Sequence, residues 1–435
     1  MDLVKQKYKL MFTVLAALTL SATALNSQAA MKHKHPPEPS LLPECQGLSA
    51  LPSPNCGRTP TPAFDSKGRL WVVFSQHGHI YLSASDDKGQ TFLSPRVVNP
   101  VPEAIYDDGE NRPKLAIGPD GELFVSWTHK KSQGRFAGDV RFARSTDGGN
   151  TFETPITINN DHAPISHRFD AMAVDNQGYI YISWIDKRDL ARAEQTKTAY
   201  AGAAIYYAIS TDRGKSFAFN RKLADHSCEC CRVTMAIDNT AKDPVTILWR
   251  HVYPVNIRDH AIARIGLNTP AIEGLPQRAT DDGWMVEGCP HHGPGLSIDS
   301  QHKVHIVWFT QGEKHPGLNY GRYDMDKGQF DFQQVFDTSA SAAHPQIMTV
   351  NTEVYRTWKR FNGVDTELLI SHSADQGVSW SEPYLVTKTS NGSDHPRLIT
   401  DQSRVYVSWH TLAEGYRLYP LNKAATPVTQ VNHVH

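Results

Sequence analysis

The sequence lacks an excess of charge of either sign. Its 435 residues carry 44 Lys+Arg against 45 Asp+Glu, so the formal net charge is -1 with histidine neutral. Nucleic-acid-binding proteins usually show a basic excess, so its absence argues against a nucleic-acid partner. Long apolar runs are also missing after the N-terminal region, and a membrane-spanning helix needs about 20 apolar residues. We therefore expect no stable insertion into a membrane.

The N-terminus has the order of features found in a secretory signal peptide. Lys5, Lys7 and Lys9 precede an apolar run from Leu10 to Leu20, and small residues follow. The apolar run is too short for a stable membrane anchor, although an uncleaved anchor is the alternative. We predict a signal peptide over residues 1–29, an N-terminal arm over 30–55, and export to the periplasm or secretion.

Seven segments after Cys56 share one opening. A basic residue is followed by a short strand in which apolar and polar residues alternate. These segments begin at Arg58, Arg112, Arg168, Arg232, His292, His344 and His395. The intervals between these positions are 54, 56, 64, 60, 52 and 51 residues, which indicates an internal repeat.

A second strand follows each opening and ends in an aromatic residue. These residues are Phe74, Trp127, Trp184, Trp249, Trp308, Trp358 and Trp409. A third strand, a tight turn and a fourth strand complete the pattern. Four antiparallel strands repeated about every 50 residues predict an all-β protein, a β-propeller over residues 56–435. Seven blades is the first choice. Six blades with a divergent insert is the alternative, because the fourth repeat is the least regular.

The turn before the fourth strand carries a motif, Ser-x-Asp-x-Gly-x-Thr/Ser-aromatic. Copies begin at Ser85, Ser145, Ser210 and Ser373. The motif resembles the Asp-box, or bacterial neuraminidase repeat, of the sialidase-like propellers. Asp would accept hydrogen bonds from turn amides and Gly would take the positive-φ position, so we interpret these turns as structural.

The resemblance implies candidate residues for an exo-sialidase, a type of glycoside hydrolase. Arg58-Thr59-Pro60 resembles the Arg-Ile-Pro element whose arginine belongs to a triad that binds the substrate carboxylate. Sialidases also use a Tyr nucleophile and an acid/base carboxyl group. The loop 75–79, where the acid is expected, contains no carboxylate. The candidates for these catalytic roles are therefore Asp107, Asp108, Glu110, Glu287, Tyr106 and Tyr253.

Strand direction predicts that the seven opening residues meet on one face of the propeller. A ring of four arginines and three histidines would attract an anionic group, because a concave site lined with one charge sign focuses the electric field. The alternative is that these side chains cap strand ends and pair with neighbouring acids. Residues just past each aromatic position belong to the same face, as does an insertion at 188–201 that we interpret as a functional loop. The residues just past the aromatic positions are Gln76, His77, His129, Asp186, Arg188, His251, Tyr253 and His410.

The six cysteines permit two interpretations. An even number in an exported protein first indicates disulfide bonds, and Cys45 and Cys56 are close enough to join the arm to the first blade. The other four precede the fourth and fifth repeats beside a histidine. Thiolates and imidazole would suit copper or zinc, with the ligands Cys228, Cys230, Cys231, Cys289 and His291. His33, His35, His433 and His435 add to this second interpretation.

Three functional hypotheses follow from these residues. The first is a protein that binds an anionic, carboxylate-bearing glycan or small ligand at the ring of seven basic residues. If this protein is an enzyme, it hydrolyses that ligand. The second is a periplasmic protein that binds or handles copper or zinc. The third is a scaffold that binds another protein across the propeller face. Propellers support all three functions, so the fold alone does not choose among them.

Overall fold

The computed structural model describes residues 41–47 and 50–421. The signal peptide predicted at 1–29, most of the predicted arm, and His33, His35, His433 and His435 lie outside these described residues. In the described part, no helix is both long enough and apolar enough to span a membrane.

Seven antiparallel sheets, blades one to seven in chain order, make up the described fold. The strands of blades one to three are β1 Arg58–Phe64, β2 Leu70–Gln76, β3 His79–Ser85, β4 Arg96–Val97; β5 Ile105–Tyr106, β6 Lys114–Ile117, β7 Leu123–Lys130, β8 Gly138–Ser145, β9 Ile156–Thr157; β10 His167–Val174, β11 Ile180–Asp186, β12 Ala203–Ser210 and β13 Arg221–Ser227. The strands of blades four to seven are β14 Thr234–Ile237, β15 Val245–Arg250, β16 His260–Ile265; β17 Gly295–Ile298, β18 Val304–Thr310, β19 Gly317–Asp324, β20 Gln329–Asp337; β21 Ala343–Val350, β22 Glu353–Phe361, β23 Thr366–Ser373, β24 Tyr384–Thr389; β25 Arg397–Thr400, β26 Val405–Thr411 and β27 Gly415–Pro420. The helical segments are α1 Arg188–Thr196 and two 3-10 turns, Pro43–Cys45 and Pro254–Asn256.

The inner strands close a ring. Contacts run in order through β1, β6, β10, β14, β17, β21 and β25, and β25 contacts β1 again. The predicted seven-bladed propeller is therefore confirmed. The prediction of four strands in every blade was too regular, because within residues 50–421 blade four has three strands and blade two has five. After β16 the chain forms isolated bridges, such as Ala261 with Arg278, where a fourth strand was expected.

The repeated tryptophans are at the centre of the cores between blades. All six are at most 1% exposed. Each core combines residues of two neighbouring blades; Trp127, for example, packs with Val73 and Leu82 of blade one. One blade cannot bury both faces of its sheet, so the stacking of neighbours supplies the apolar burial that stabilises the fold.

The four Ser-x-Asp-x-Gly-x-Thr/Ser turns have the same hydrogen bonds. In blade one the Ser85 hydroxyl donates to Asp87 Oδ1 at 2.7 Å, and the Gly89 N–H donates to the Ser85 hydroxyl oxygen at 2.7 Å. The Thr91 N–H and hydroxyl donate to the two Asp87 oxygens. Hydrogen bonds from Thr91 and Ser85 lower the pKa of Asp87 to about 2, and Gly89 has φ +85°. The strand directions place these turns on the face opposite the starts of β1, β6 and their equivalents, which we call the mouth face.

The insertion between β11 and β12 contains a helix where the sequence had predicted a loop. Helix α1 follows Asp186, whose carboxylate accepts hydrogen bonds from the Arg188 N–H and guanidinium. Asp189 in its first turn accepts a hydrogen bond from the Tyr206 hydroxyl at 2.8 Å. These buried contacts fix the helix to blade three, so the insertion is a rigid part of the mouth face.

Candidate functional site

The loop between β5 and β6 carries an acid into the centre of the mouth face. Asp108 Oδ1 accepts hydrogen bonds from the backbone N–H groups of Glu110 and Asn111, both at 3.0 Å. The Asn111 amide donates to Asp108 Oδ2 at 2.8 Å and its Oδ1 accepts from the Phe169 N–H at 3.2 Å. Asp108, a candidate for catalysis in the sequence, therefore shapes this loop and presents Glu110.

Glu110 is the anion around which blades four to seven meet. Its carboxylate accepts hydrogen bonds from Arg232 Nη1 at 2.7 Å, the Arg232 N–H at 2.9 Å and the Gly293 N–H at 3.2 Å. The Nδ1 atoms of His344 and His395 lie 3.8 and 3.6 Å from its Oε1. Burial alone would raise the pKa of Glu110, but the charge of Arg232 leads the effects that outweigh it and hold that pKa well below its usual value. We call Glu110, Arg232, His292, His344 and His395 the hub.

The three hub histidines form a stack of rings. The His344 and His395 centroids are 3.5 Å apart, His292 and His344 are 4.9 Å apart, and His292 lies 4.1 Å from Phe309. Burial lowers the pKa of all three, to about 3 for His292. These rings are neutral near pH 7, so they do not supply the positive charge that the sequence analysis assigned to them.

Three of the four ring arginines pair with acids of the chain itself. Arg58 Nε lies 3.1 Å from Asp107 Oδ1, and Asp107 Oδ2 also accepts the Ser75 hydroxyl at 2.6 Å. Arg112 pairs with Asp394, and Arg232 pairs with Glu110. For these three positions the structure shows the pairing with neighbouring acids that was the alternative interpretation.

Arg168 differs from the other ring arginines. Its guanidinium lies 3.8 Å from the centroid of the Tyr106 ring and 5.7 Å from that of Phe136. Among the described residues it has no ion pair and no hydrogen bond; its Nε is buried without a partner, whereas its Nη atoms are not buried. Burial lowers the pKa of Arg168, an effect that Tyr106, Asp108 and Cys230 partly offset. Arg168 thus presents a free cation on an aromatic platform.

Two further cations of the centre were missed in the sequence. Burial lowers the pKa of Arg397 to about 9 and that of Lys359 to about 8. Arg397 Nη1 is 3.4 Å from Gln346 Oε1, and Lys359 Nζ is 3.2 Å from the Ser393 carbonyl. Arg397 follows His395 by two residues and could have been found from that spacing. Lys359 lies on a second strand, and only the fold brings it to the centre.

The remaining candidates for sialidase catalysis are not arranged as a nucleophile and its base. The Tyr253 hydroxyl is buried and has no hydrogen-bond partner in the described structure, so no carboxylate activates it. Burial raises its pKa. Its ring lies 4.4 Å from that of His251, whose two ring nitrogens also lack partners. Glu287 is exposed and accepts a hydrogen bond from the Asn256 amide at 2.9 Å.

The other predicted mouth-face residues are tied to nearby loops. His129 Nδ1 lies 3.0 Å from Glu103 Oε2, and His410 Nε2 is 2.9 Å from the Asn55 carbonyl. Gln76 Nε2 is 3.3 Å from both the His77 ring nitrogen and the Ala50 carbonyl. These contacts hold the loops of the mouth face together.

The cysteines divide into a disulfide and a cluster. Cys45 and Cys56 form a disulfide bond, as expected for the link between the arm and blade one. Cys228, Cys230 and Cys231 are buried free thiols, and Cys289 is exposed. Cys228 Sγ is hydrogen-bonded to Cys230 Sγ at 3.8 Å and to Cys231 Sγ at 3.7 Å, and these contacts lower the pKa of Cys228 and raise the pKa of Cys230.

No protein-family model matches the chain, and no curated protein sequence is similar to it. Among solved structures, an ulvan lyase of polysaccharide lyase family PL25 is similar with a TM-score of 0.53, 13% identity, and coverage of 84% of this chain and 92% of the lyase. Polysaccharide lyase Uly1 has a TM-score of 0.49, 8% identity, and coverage of 91% and 94%. The NanB sialidase of Streptococcus pneumoniae has a TM-score of 0.43, 10% identity, and coverage of 71% and 66%. At these identities the likeness concerns the fold alone, and of the three structures only the ulvan lyase has a TM-score above 0.5.

Proposed function

We propose that the protein binds an anionic, carboxylate-bearing glycan on its mouth face, with Arg168 as the residue that binds the carboxylate. The observation that carries the proposal is the free guanidinium of Arg168, stacked 3.8 Å from the Tyr106 ring. A guanidinium donates two parallel hydrogen bonds to a carboxylate, and these donors have no partner within the described chain.

The aromatic surroundings of Arg168 suit a sugar. Tyr106 and Phe136 lie within 6 Å of the guanidinium, and the Phe136 side chain is 53% exposed. An exposed ring next to a cation offers an apolar surface for a sugar face and a charge for its acid group.

The hub has a different role in this proposal. Glu110 already satisfies Arg232 and approaches His344 and His395, so an incoming carboxylate would have to displace a buried acid of the chain. The ligand therefore binds beside the hub, toward blades two and three.

The structural comparison supports the choice of ligand class. The ulvan lyase named above was solved with a bound glycan of the repeat GlcA(1-4)Rha3S, in which the glucuronic acid carries a carboxylate. Because that likeness concerns the fold, it suggests which kind of glycan to test as a ligand of the present protein. The residues that bind the glycan have to be identified by experiment.

Calorimetric titration tests the proposal with a glucuronate-containing oligosaccharide and its carboxyl-reduced counterpart. We expect binding of the acidic form only. The Arg168→Gln variant should weaken it by about tenfold to a hundredfold, the value of a charged hydrogen bond. Arg58→Gln is the matched control, because Arg58 is paired with Asp107 and 70% exposed; its affinity should stay unchanged. Equal binding of the reduced sugar, or equal affinity of Arg168→Gln, would refute the proposal.

Hydrolysis of a fluorogenic sialoside tests whether the protein is an exo-sialidase. Because the Tyr253 hydroxyl lacks a carboxylate partner, we expect no turnover above the rate in buffer. Turnover that Tyr253→Phe abolishes would contradict this expectation and restore exo-sialidase activity as the function.

A further inference from the structure

Two loops of the mouth face bring five metal-ligand side chains together. Cys228, Cys230 and Cys231 lie between β13 and β14, and their Sγ atoms are within 4.8 Å of one another. Cys289 and His291 precede β17 of the next blade, and their ligand atoms lie within the same limit of Cys230 Sγ. Cys230 is therefore shared by both groups. About 60 residues of chain separate the two loops, so the fold alone makes this cluster.

The sulfur separations fit one bound ion better than they fit disulfide bonds. Cys228 Sγ is 3.8 Å from Cys230 Sγ and 3.7 Å from Cys231 Sγ. Two sulfurs bonded to one ion at about 2.3 Å with a tetrahedral angle lie about 3.8 Å apart. A disulfide bond would require about 2.05 Å.

The composition of the cluster selects a class of ion. Together the two groups offer four thiols and one imidazole, with no carboxylate. Hard ions such as calcium and magnesium require oxygen ligands, whereas thiolates favour Zn(II) and Cu(I). The hub also combines an acid with two histidines, but the Arg232 guanidinium bonded to Glu110 opposes a cation there.

The surroundings hold the cluster in place and leave it open on one side. The Cys228 N–H donates to the Arg250 carbonyl at 2.8 Å, and Arg258 Nη1 lies 3.5 Å from Cys228 Sγ, where its charge stabilises a thiolate. The three sulfurs of the 228–231 loop are buried, whereas Cys289 and His291 are exposed. Outer contacts of this kind orient metal ligands, and the exposed pair provides a route for an ion.

We propose that Cys228, Cys230, Cys231, Cys289 and His291 form a binding site for a thiophilic d10 ion, Zn(II) or Cu(I). The buried sulfurs form the base of the site, Cys230 connects its two halves, and Cys289 and His291 close it at the surface. This site is close enough to the glycan site for Cys230 to act on the pKa of Arg168, but its ligands are different residues, so the metal titration and the glycan titration can fail separately.

Titration of the reduced, metal-free full chain with each ion tests the proposal. Zn(II) and Cu(I) are added separately under nitrogen in competition with a chromophoric chelator, so the two arms identify the ion. Co(II) serves as a spectroscopic probe, because thiolate ligands give it intense d–d bands. We expect one of the two ions to bind with defined stoichiometry and Co(II) to show sulfur ligation.

Three variants assign the ligands. Loss of an outer contact alone costs a metal site roughly tenfold to a hundredfold in affinity, so Cys230→Ser, which removes the shared ligand, should cost at least about that much. His291→Ala removes a ligand that is exposed, so this variant should fold even if Cys230→Ser does not. It should also bind the ion more weakly than the parent protein. His302→Ala is the matched control, an exposed histidine that pairs with Asp238 on another loop, and it should bind as the parent protein does.

Two results would overturn the proposal. One is the absence of chelator-resistant binding of either ion, or binding that Cys230→Ser and His291→Ala leave unchanged. The other is mass-spectrometric evidence that protein isolated without reductant holds these four cysteines in disulfide bonds and, once reduced, binds neither ion.

Discussion

The hub and the surroundings of Arg168 lie on the same face and each contains one of the opening arginines, yet they differ in how the charge of that arginine is satisfied. At the hub, Glu110 accepts three hydrogen bonds from neighbouring blades. Arg168 has only aromatic rings against it. Removing one partner of a buried ion pair strongly destabilises a fold, because the other charge is left buried and uncompensated. A largely buried cation that has no acid partner within ion-pair distance can still accept a ligand carboxylate as its partner. We therefore interpret the hub as structural and keep Arg168 as the binding residue of the proposed function.

The largest effect should come from removing the hub acid. Glu110→Gln leaves the buried Arg232 guanidinium without its counter-charge, and breaking a buried pair costs about 3–5 kcal/mol. Urea unfolding should show this loss in the free energy of unfolding. Glu287→Gln, at an exposed position, is the control and should stay within about 0.5 kcal/mol. A loss below about 1 kcal/mol in Glu110→Gln would mean that the hub is not a structural centre.

Acid should destabilise the protein through the histidine stack. The pKa of His292 is about 3 in the folded protein and about 6.5 in an unfolded chain. The contribution of neutral His292 to the free energy of unfolding is therefore complete above about pH 6.5 and declines as the pH falls toward about 3. For this residue the loss at pH 5 is about 2 kcal/mol. His344, Arg250 and Arg232, which face it, also disfavour its protonation, whereas Glu110 favours it.

The measurement is the melting temperature between pH 7.5 and 5. His292→Phe keeps a ring against Phe309 and removes the titrating group, so its melting temperature should vary less with pH over this range. An equal pH dependence in the variant and the parent protein would show that other groups cause the acid loss.

Replacing Arg168 should change stability much less than replacing Glu110. Arg168→Gln removes a cation–π contact with Tyr106, which is worth about 0.5–2 kcal/mol, and leaves no acid unpaired within ion-pair distance. Urea unfolding should therefore place this variant within about 2 kcal/mol of the parent while the affinity for acidic glycans falls. A loss as large as that of Glu110→Gln would make Arg168 a structural residue and erase the contrast between the two regions.

The smallest effect is expected at Arg58. Its side chain is 70% exposed and its ion pair with Asp107 is solvated, so Arg58→Gln should change the free energy of unfolding by less than about 1 kcal/mol. High salt should remove even this difference, because surface pairs are screened. A larger loss in urea unfolding would place Arg58 with the hub.

The sequence predicted the propeller well because its signals are local and repeated. The spacing of Trp127, Trp184 and Trp249 reports the register of each second strand, and the alternation of apolar residues reports its faces. The irregular fourth repeat was also visible in the sequence, although the fifth strand of blade two, β5 Ile105–Tyr106, was not.

The site was predicted less well. The sequence predicted that the opening residues of the repeats point toward a common centre. Four of them, Arg232, His292, His344 and His395, do meet at Glu110. Their charge was not predictable, because burial lowers the pKa of the histidines and only the packing determines burial. Glu110 itself was considered only as a substitute acid for catalysis.

By itself the sequence determined the number of blades and the buried tryptophans, because each repeat encodes its own strands and turns. Only the tertiary structure decided that Asp107 neutralises Arg58, that Glu110 fills the centre and that Arg168 stays free. It also decided that Cys230 meets Cys289 and His291. These contacts join side chains from different blades, and their distances depend on how the sheets pack around the axis, which no single repeat specifies.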